Sequence, residues 1–261
     1  MFDFHMHSHV SFDAKGVPED MARAAIQRGL KEICFTDHIE YETGVEHQLM
    51  VFSTEEYHAA YDHLAYEQLK IRKGIEFGLK PANQEDLRRD LKLFDYDFVI
   101  GSVHMVDDKD VYFDSFWEGK TMREAYRSFL EETLACVRAH DDFDVLGHLT
   151  FICKSPRNPT GEPICYNEWR EVSDEILRTL AQKGKGMEVN TSGFDICGEF
   201  LPSMDFFRRF KELGGEIVTV GSDAHDEKRV GQYSYEVCEK LREIFGHVCT
   251  FENRVPIFHR W

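Results

Sequence analysis

Short apolar segments alternate with helical patterns seven times along the 261 residues, and that alternation predicts an α/β fold, a parallel sheet wound with helices. Two further observations support it. Several strand segments are near-continuous apolar runs (DFVIGSV, EIVTVGS), the pattern of parallel strands covered on both faces. The helical segments carry recognisable start and stop signals. An open doubly wound sheet and a closed barrel both fit the alternation. No GxGxxG or Walker-type loop opens a helix, so the nucleotide-binding open sheets lose support. No internal repeat or low-complexity linker divides the chain, and a single domain over residues 1–261 is expected, with a short C-terminal tail from about 247.

The elements follow in order. The first strand is expected at residues 2–7, after which Pro18 opens a helix that Gly29 closes. A second strand at 32–38 leads to Ser53-Thr54-Glu55-Glu56, which reads as a capping box. The third strand, 71–78, precedes a helix with Asn83 as candidate N-cap. The fourth, 98–104, precedes a second capping box at Thr121-Met122-Arg123-Glu124. Strand five, 144–149, is followed by the longest connection, 151–166 (FICKSPRNPTGEPICY), whose length marks function or disorder in a compact domain. Asn167 is the candidate N-cap beyond it. Strand six at 186–191 leads to a helix begun by Ser203, with Phe206, Phe207, Phe210 and Leu213 on one face. Strand seven at 217–225 leads to a helix at about 234–245, ended by Gly246.

Acidic side chains outnumber basic ones 48 to 31, a formal charge of −17. That field repels a phosphate backbone, so nucleic acid is not expected as a partner, although a local basic pocket can take a small phosphorylated molecule. No run approaches the roughly 18 apolar residues of a membrane helix. The stretch MFDFHMHSHVSFDAKG has no basic residue before Lys15 and no long apolar core, unlike a signal peptide. The seven cysteines are odd in number and none is paired as CxxC, which points to reduced thiols and a cytoplasmic location.

Metal-capable side chains collect at the C-terminal ends of the strand segments. Strand one ends His5-Met6-His7, with Asp13 shortly after. Strand two ends Asp37-His38, strand three carries Glu76, strand four ends at His104, strand five at His148, and strand seven at Asp223-Ala224-His225. In a parallel barrel these ends share one rim, where active sites are built. Alternate residues point the same way, so His5 with His7, and Asp223 with His225, can each converge on one centre. Singly, an HxH pair or an Asp-His dipeptide is weak, and Glu76 could be an interior salt-bridge partner. The coincidence carries the reading, since six of the 13 histidines fall on strand ends. The others (His9, His47, His58, His63, His140, His247, His259) scatter and read as structural, with His9 near enough to support a ligand. Imidazoles and carboxylates without thiolate suit Zn, Mn or Fe, and this set exceeds what one ion takes. Two or three divalent ions are therefore expected, with Glu76 a natural bridge.

The motifs FHMHSHVSFD, CFTDH, GIEFG, VIGSVHMVD, VLGHL and VTVGSDAH, in this order, resemble the PHP (polymerase and histidinol phosphatase) family, from residue 2 to about 231. Within it the chain is most similar to the stand-alone histidinol phosphatases. The resemblance implies a distorted seven-stranded (β/α)7 barrel and three metals. His5, His7, Glu76 and Asp223 would hold the first; Glu76, His104 and His148 the second; Asp13, His38 and His225 the third. It also implies metal-dependent hydrolysis of a small phosphate monoester, histidinol phosphate leading. A metal-bridging hydroxide would attack in line, without a phosphoenzyme. The alternatives are another substrate (a sugar or nucleoside phosphate, or phosphotyrosine) and a non-enzymatic metal-binding regulatory barrel. The last predicts degraded ligand positions, and none is degraded. An amidohydrolase-type barrel would have eight strands and often a lysine on the fourth, where this chain has Ser102-Val103-His104.

In the family's histidinol phosphatases, arginines after the strand-five histidine and after the SG of strand six meet the phosphate. Here Lys154, a point charge rather than a fork, and Arg157 are the candidate phosphate contacts. No arginine follows Gly193, and Asp195 would repel a phosphate placed there. Tyr112, Phe113, Phe116 and Trp117 are candidates for a cover over a small organic group.

Overall fold

The expected strand segments lie side by side in parallel, in the order in which they occur. The computed structural model describes residues 1–41, 51–158 and 160–260. Its main sheet comprises β1 (Phe2–Asp3), β2 (Glu32–Ile39), β3 (Lys70–Gly78), β4 (Phe98–Ser102), β7 (Val145–Leu146), β8 (Gly186–Asn190) and β9 (Val218–Gly221), each hydrogen-bonded to the next. The choice between an open sheet and a barrel is decided at its edges. Backbone bonds Phe4 N–H to Val220 O, Asp223 N–H to His5 O and His7 N–H to Ala224 O, each 2.8 Å, join the first strand segment to the last. The sheet is thereby closed into a distorted seven-stranded barrel.

Two small hairpins interrupt the alternation. After His104, β5 (Met105–Val106) and β6 (Lys109–Asp110) pair antiparallel about Asp107 and Asp108, both at positive φ, as a tight hairpin turn requires. The residues beyond 247, expected as a tail, instead form the antiparallel pair β10 (His247–Glu252) and β11 (Val255–Arg260), turning at Asn253 and Arg254 with φ of 50° and 64°. Phe251 is buried against Phe98 at 4.7 Å between ring centroids, and Phe98 meets Phe4 at 5.6 Å. Arg254 reaches Asp144 and the carbonyl of Asp142. The hairpin therefore covers the N-terminal ends of the central strands, opposite the rim that carries the histidines.

Helices α1 (Pro18–Gln27), α2 (Thr54–Tyr61), α3 (Gln84–Asp90), α4 (Asp114–Trp117), α5 (Met122–Ala139), α6 (Arg170–Gln182), α7 (Phe194–Cys197), α8 (Met204–Glu212) and α9 (Ser234–Phe245) fill the intervals between strands. Both capping boxes form, Ser53 with Glu56 and Thr121 with Glu124. Asn83 stands at the N-cap of α3, but its side chain turns back to Lys80 N–H and Gly78 O and ties the loop instead. Asn167 is not a cap. It lies in a 3₁₀ turn, Tyr166–Glu168, and α6 begins after Trp169. Among the described residues no helix is long and apolar enough to cross a membrane.

The register pairs His38 with Glu76 and Glu76 with Ile100, so these three share one side of the sheet. Alternate positions toward the strand ends bring His38, Glu76 and His104 onto the same rim. The intervening Phe35, Ile39, Ile75, Phe77 and Val99 are buried in the apolar core.

Candidate metal centre and cleft

Nine residues expected to hold metals meet on the floor of one open cleft of about 560 Å³, on the C-terminal side of the barrel. Their spacing falls into three groups. His5 Nε2 and His7 Nε2 lie 3.0 Å apart. They are 3.2 and 3.4 Å from Glu76 Oε2, and 3.7 and 3.4 Å from Asp223 Oδ1. The second Glu76 oxygen, Oε1, lies 2.7 Å from His148 Nε2 and 3.4 Å from His104 Nε2. Asp13 Oδ2 lies 3.2 Å from His225 Nε2 and 3.6 Å from His38 Nε2. His38 also presents Nδ1 at 3.0 Å from Glu76 Oε2.

Ring orientation is set from behind. His5 Nδ1–H donates to Glu188 Oε1 at 2.6 Å, and Glu188 is itself held by the His148 N–H at 2.8 Å. His7 Nδ1–H donates to Ser11 Oγ at 3.2 Å, while that hydroxyl donates to Asp37 and accepts from His38 N–H. His104 Nδ1–H donates to Glu40. In each case the far nitrogen is aimed at the cluster, the device by which proteins orient metal-binding imidazoles. Glu188 and Glu40 were missed from sequence. The signal was present, because Glu40 lies two positions beyond His38 and Glu188 is a carboxylate inside the expected sixth strand, 186–191.

Burial opposes charge on every one of these groups. It pushes His7 down to about 3, with help from His38 and His225. On His38 burial is outweighed by Glu76 and Asp13, which lift it to about 9. Glu188 and Glu76 raise His5 in the same contest, and Glu40 and Glu76 raise His104. Burial would raise Glu76 and Asp223 too, yet both are held well below the usual carboxylate range. The charges of His5 and His38 do this to Glu76; Lys154 and His5 do it to Asp223. These carboxylates are ionised in a buried place and depend on positive charge around them.

The set fits divalent cations. His38 Nδ1 and Glu76 Oε2, 3.0 Å apart but not aligned as a hydrogen bond, are both buried without a hydrogen-bond partner among the described residues. Two ring nitrogens at 3.0 Å need a cation or a proton between them. All the donors are nitrogen or oxygen, and His-, Asp- and Glu-rich groups within reach of one another could hold metal ions.

Of the substrate candidates, Lys154 lines the cleft. Its Nζ lies 2.6 Å from Asp223 Oδ2 and donates to Ser192 Oγ at 2.9 Å. Arg157 does not line it; the 3₁₀ turn Phe151–Lys154 carries the chain past the rim, and Arg157 pairs with Asp114 at 2.8 Å. Asp195 also lies outside the lining residues, held by Gln232 Nε2 at 2.8 Å and Tyr233 OH at 2.6 Å. Its carboxylate is engaged by these two groups and lies 3.5 Å from the Arg229 guanidinium, which does line the cleft. Tyr112, Phe113 and Phe151 form an aromatic wall, whereas Phe116 is buried and Trp117 donates to Val111 O. The His9 ring bonds Gly16 O at 3.3 Å, and His47 lies outside the described residues.

The family profile described as PHP domain matches residues 3–192. The chain belongs to the PHP family. A histidinol-phosphatase of Lactococcus lactis is 35% identical over 232 residues, 87% of this PHP chain and 85% of its own length. A probable histidinol-phosphatase of Clostridium acetobutylicum is 29% identical over 88% of this chain and 89% of its own. Among solved structures, histidinol phosphate phosphatase from Lactococcus lactis, crystallised with Zn, L-histidinol and phosphate, matches with a TM-score of 0.88 at 30% identity over 98% of both chains. A solved structure from Listeria monocytogenes, at 19% identity and a TM-score of 0.76 over 90% of this chain and 99% of its own, shares the fold with this PHP domain.

Proposed function

We propose that this chain is a metal-dependent phosphomonoesterase acting on L-histidinol phosphate. Two or three divalent ions, Zn, Mn or Fe, would be held by His5, His7, Glu76 and Asp223; by Glu76, His104 and His148; and by Asp13, His38 and His225. The observation that carries the reading is Glu76, a fully buried carboxylate whose two oxygens face different pairs of histidines. When bound, such ions polarise phosphoryl oxygens and lower the pKa of water toward neutrality.

The chain's own residues do the rest. Glu188, Ser11 and Glu40 fix the ring orientations of His5, His7 and His104, so the donor set is ordered before substrate arrives. Lys154 stands beside Asp223 and Ser192, where its ammonium can take a phosphoryl oxygen. Asp110 also lines the cleft, its Oδ1 accepting from the Tyr112 N–H at 2.8 Å, beside Tyr112 and Phe113, while the Phe151 ring centroid lies 5.2 Å from the Lys154 ammonium. A cleft lined by acidic and aromatic groups as well as by basic ones suits a substrate that is cationic at its organic end and anionic at its phosphate. The relatives named for histidinol phosphate act on such a molecule. Cysteines that are free and mostly buried suit a reducing cytoplasm.

The deciding experiment is inorganic phosphate release from L-histidinol phosphate by protein reconstituted with Mn²⁺ or Zn²⁺. A kcat/KM of roughly 10⁴ M⁻¹s⁻¹ or more is expected. Efficient cleavage of sugar or nucleoside phosphates with negligible histidinol phosphate turnover would reassign the substrate. No cleavage of any ester by fully metallated protein would overturn the enzyme reading.

A further inference from the structure

The loop between β9 and α9 is pinned on every side but one. Arg28, just beyond α1, donates to the carbonyls of Glu227 (3.1 Å), Lys228 (2.6 Å) and Val230. Gly231 N–H donates to Asp3 at 2.6 Å, and Gln232 O accepts from Thr191 at 2.8 Å. The residue in the middle of the clamped carbonyls is Arg229, and it lines the cleft together with Lys154, Ser192, Asp223 and His225.

Its guanidinium carries far more donors than the chain uses. Its Nη1 lies 3.5 Å from Asp195 Oδ2, a charge contact rather than a good hydrogen bond. Nη2 is buried without a partner among the described residues. Asp195 is fixed in turn by Gln232 and Tyr233, so it holds the arginine's position without saturating its fork. A guanidinium that lines the cleft, a third exposed, with donors that the described residues leave unspent, is arranged for an anion contact.

We propose that Arg229 anchors the phosphoryl group of the substrate, as the second cation beside Lys154, and that Asp195 and Arg28 are positioning residues for it. This rests on the phosphatase reading above. Nothing near it in sequence announces the role, since the arginine enters from the strand-seven loop rather than from the segments after strands five and six.

The test compares wild type, Arg229→Gln, Arg229→Lys and Asp195→Asn, each fully metallated. Binding of inorganic phosphate is followed by calorimetry, and turnover with both L-histidinol phosphate and p-nitrophenyl phosphate. For Arg229→Gln, phosphate affinity is expected to fall about 10–100-fold and KM to rise in step for both esters, with metal content unchanged. Arg229→Lys should recover part of the loss, and Asp195→Asn should show a smaller one. Unaltered phosphate affinity in Arg229→Gln, with wild type binding phosphate normally, would overturn the assignment alone. Wild type that neither binds phosphate nor cleaves either ester would instead overturn the phosphatase reading itself. A loss in Arg229→Gln that came with depleted metal would mark a structural role and also reject the proposal.

Discussion

Glu188 shows how much of the centre is built by residues that would never touch a metal. Its two oxygens serve the ring Nδ1–H of His5 and the backbone N–H of His148, one residue from each of two groups that share Glu76. Replacing it by Gln keeps the shape and removes the charge that holds His5 in its tautomer. Metal affinity of Glu188→Gln, measured by competition with a chromophoric chelator, should fall about 10–100-fold, with thermal stability of the apo-protein little changed. The nine candidate ligands were legible because each stands at or near a strand end, where the geometry of parallel strands is predictable. Arg229 was not legible. Its position depends on a loop clamped from α1, and no local pattern encodes that contact. His140 makes a different residue-level point. It is buried, donates to Lys80 O at 2.8 Å, and burial lowers its pKa from 6.5. The unfolded chain therefore takes up this proton first as pH drops. Stability from this group is intact above about 6.5 and is lost as pH falls toward the folded value. Urea midpoints at pH 7.5 and 5.5 should differ more for wild type than for His140→Gln, and equal slopes would remove His140 from the account.

At the level of elements, the capping boxes before α2 and α5 were readable from four residues each, because the cap is a local bargain between a hydroxyl and a carboxylate. Asn83 and Asn167 failed as caps for tertiary reasons: one side chain is drawn to Gly78 and Lys80, the other residue falls in a 3₁₀ turn. The C-terminal hairpin was missed because its turn is Asn-Arg rather than the Asn-Gly that usually signals one. Its contribution is measurable. Phe251, fully buried on Phe98, should destabilise the protein by about 3–5 kcal/mol when changed to Ala. Equilibrium unfolding in urea reads that loss directly. Metal content should be retained, because the hairpin and the centre sit at opposite ends of the barrel.

For the molecule as a whole, the candidate centre lies across the seam at which the barrel closes. His5 and His7 come from the first strand segment and Asp223 and His225 from the last, beside the bonds that join them. An ion bound by both sides would therefore act as a clasp on the closed form. Removing metal with a chelator should abolish turnover and lower the melting temperature by roughly 5–10 °C, if the ion is present at about 100 times its Kd. A melting temperature indifferent to chelation would mean that the seam holds without it. Alternation predicted the number and order of strands but could not tell an open sheet from a barrel; the closed (β/α)7 barrel came from the motifs, through the family they resemble.

The seam also orders events in time. The bond from Ser222 N–H to Asp3 links positions 219 apart in the chain, and contacts of such separation form late, after the local βα units have already gathered. Four of the nine candidate ligands meet only there. A chain caught part-way through folding thus has most of its secondary structure but neither the first nor the third group of ligands complete, and full metal occupancy would report the last step.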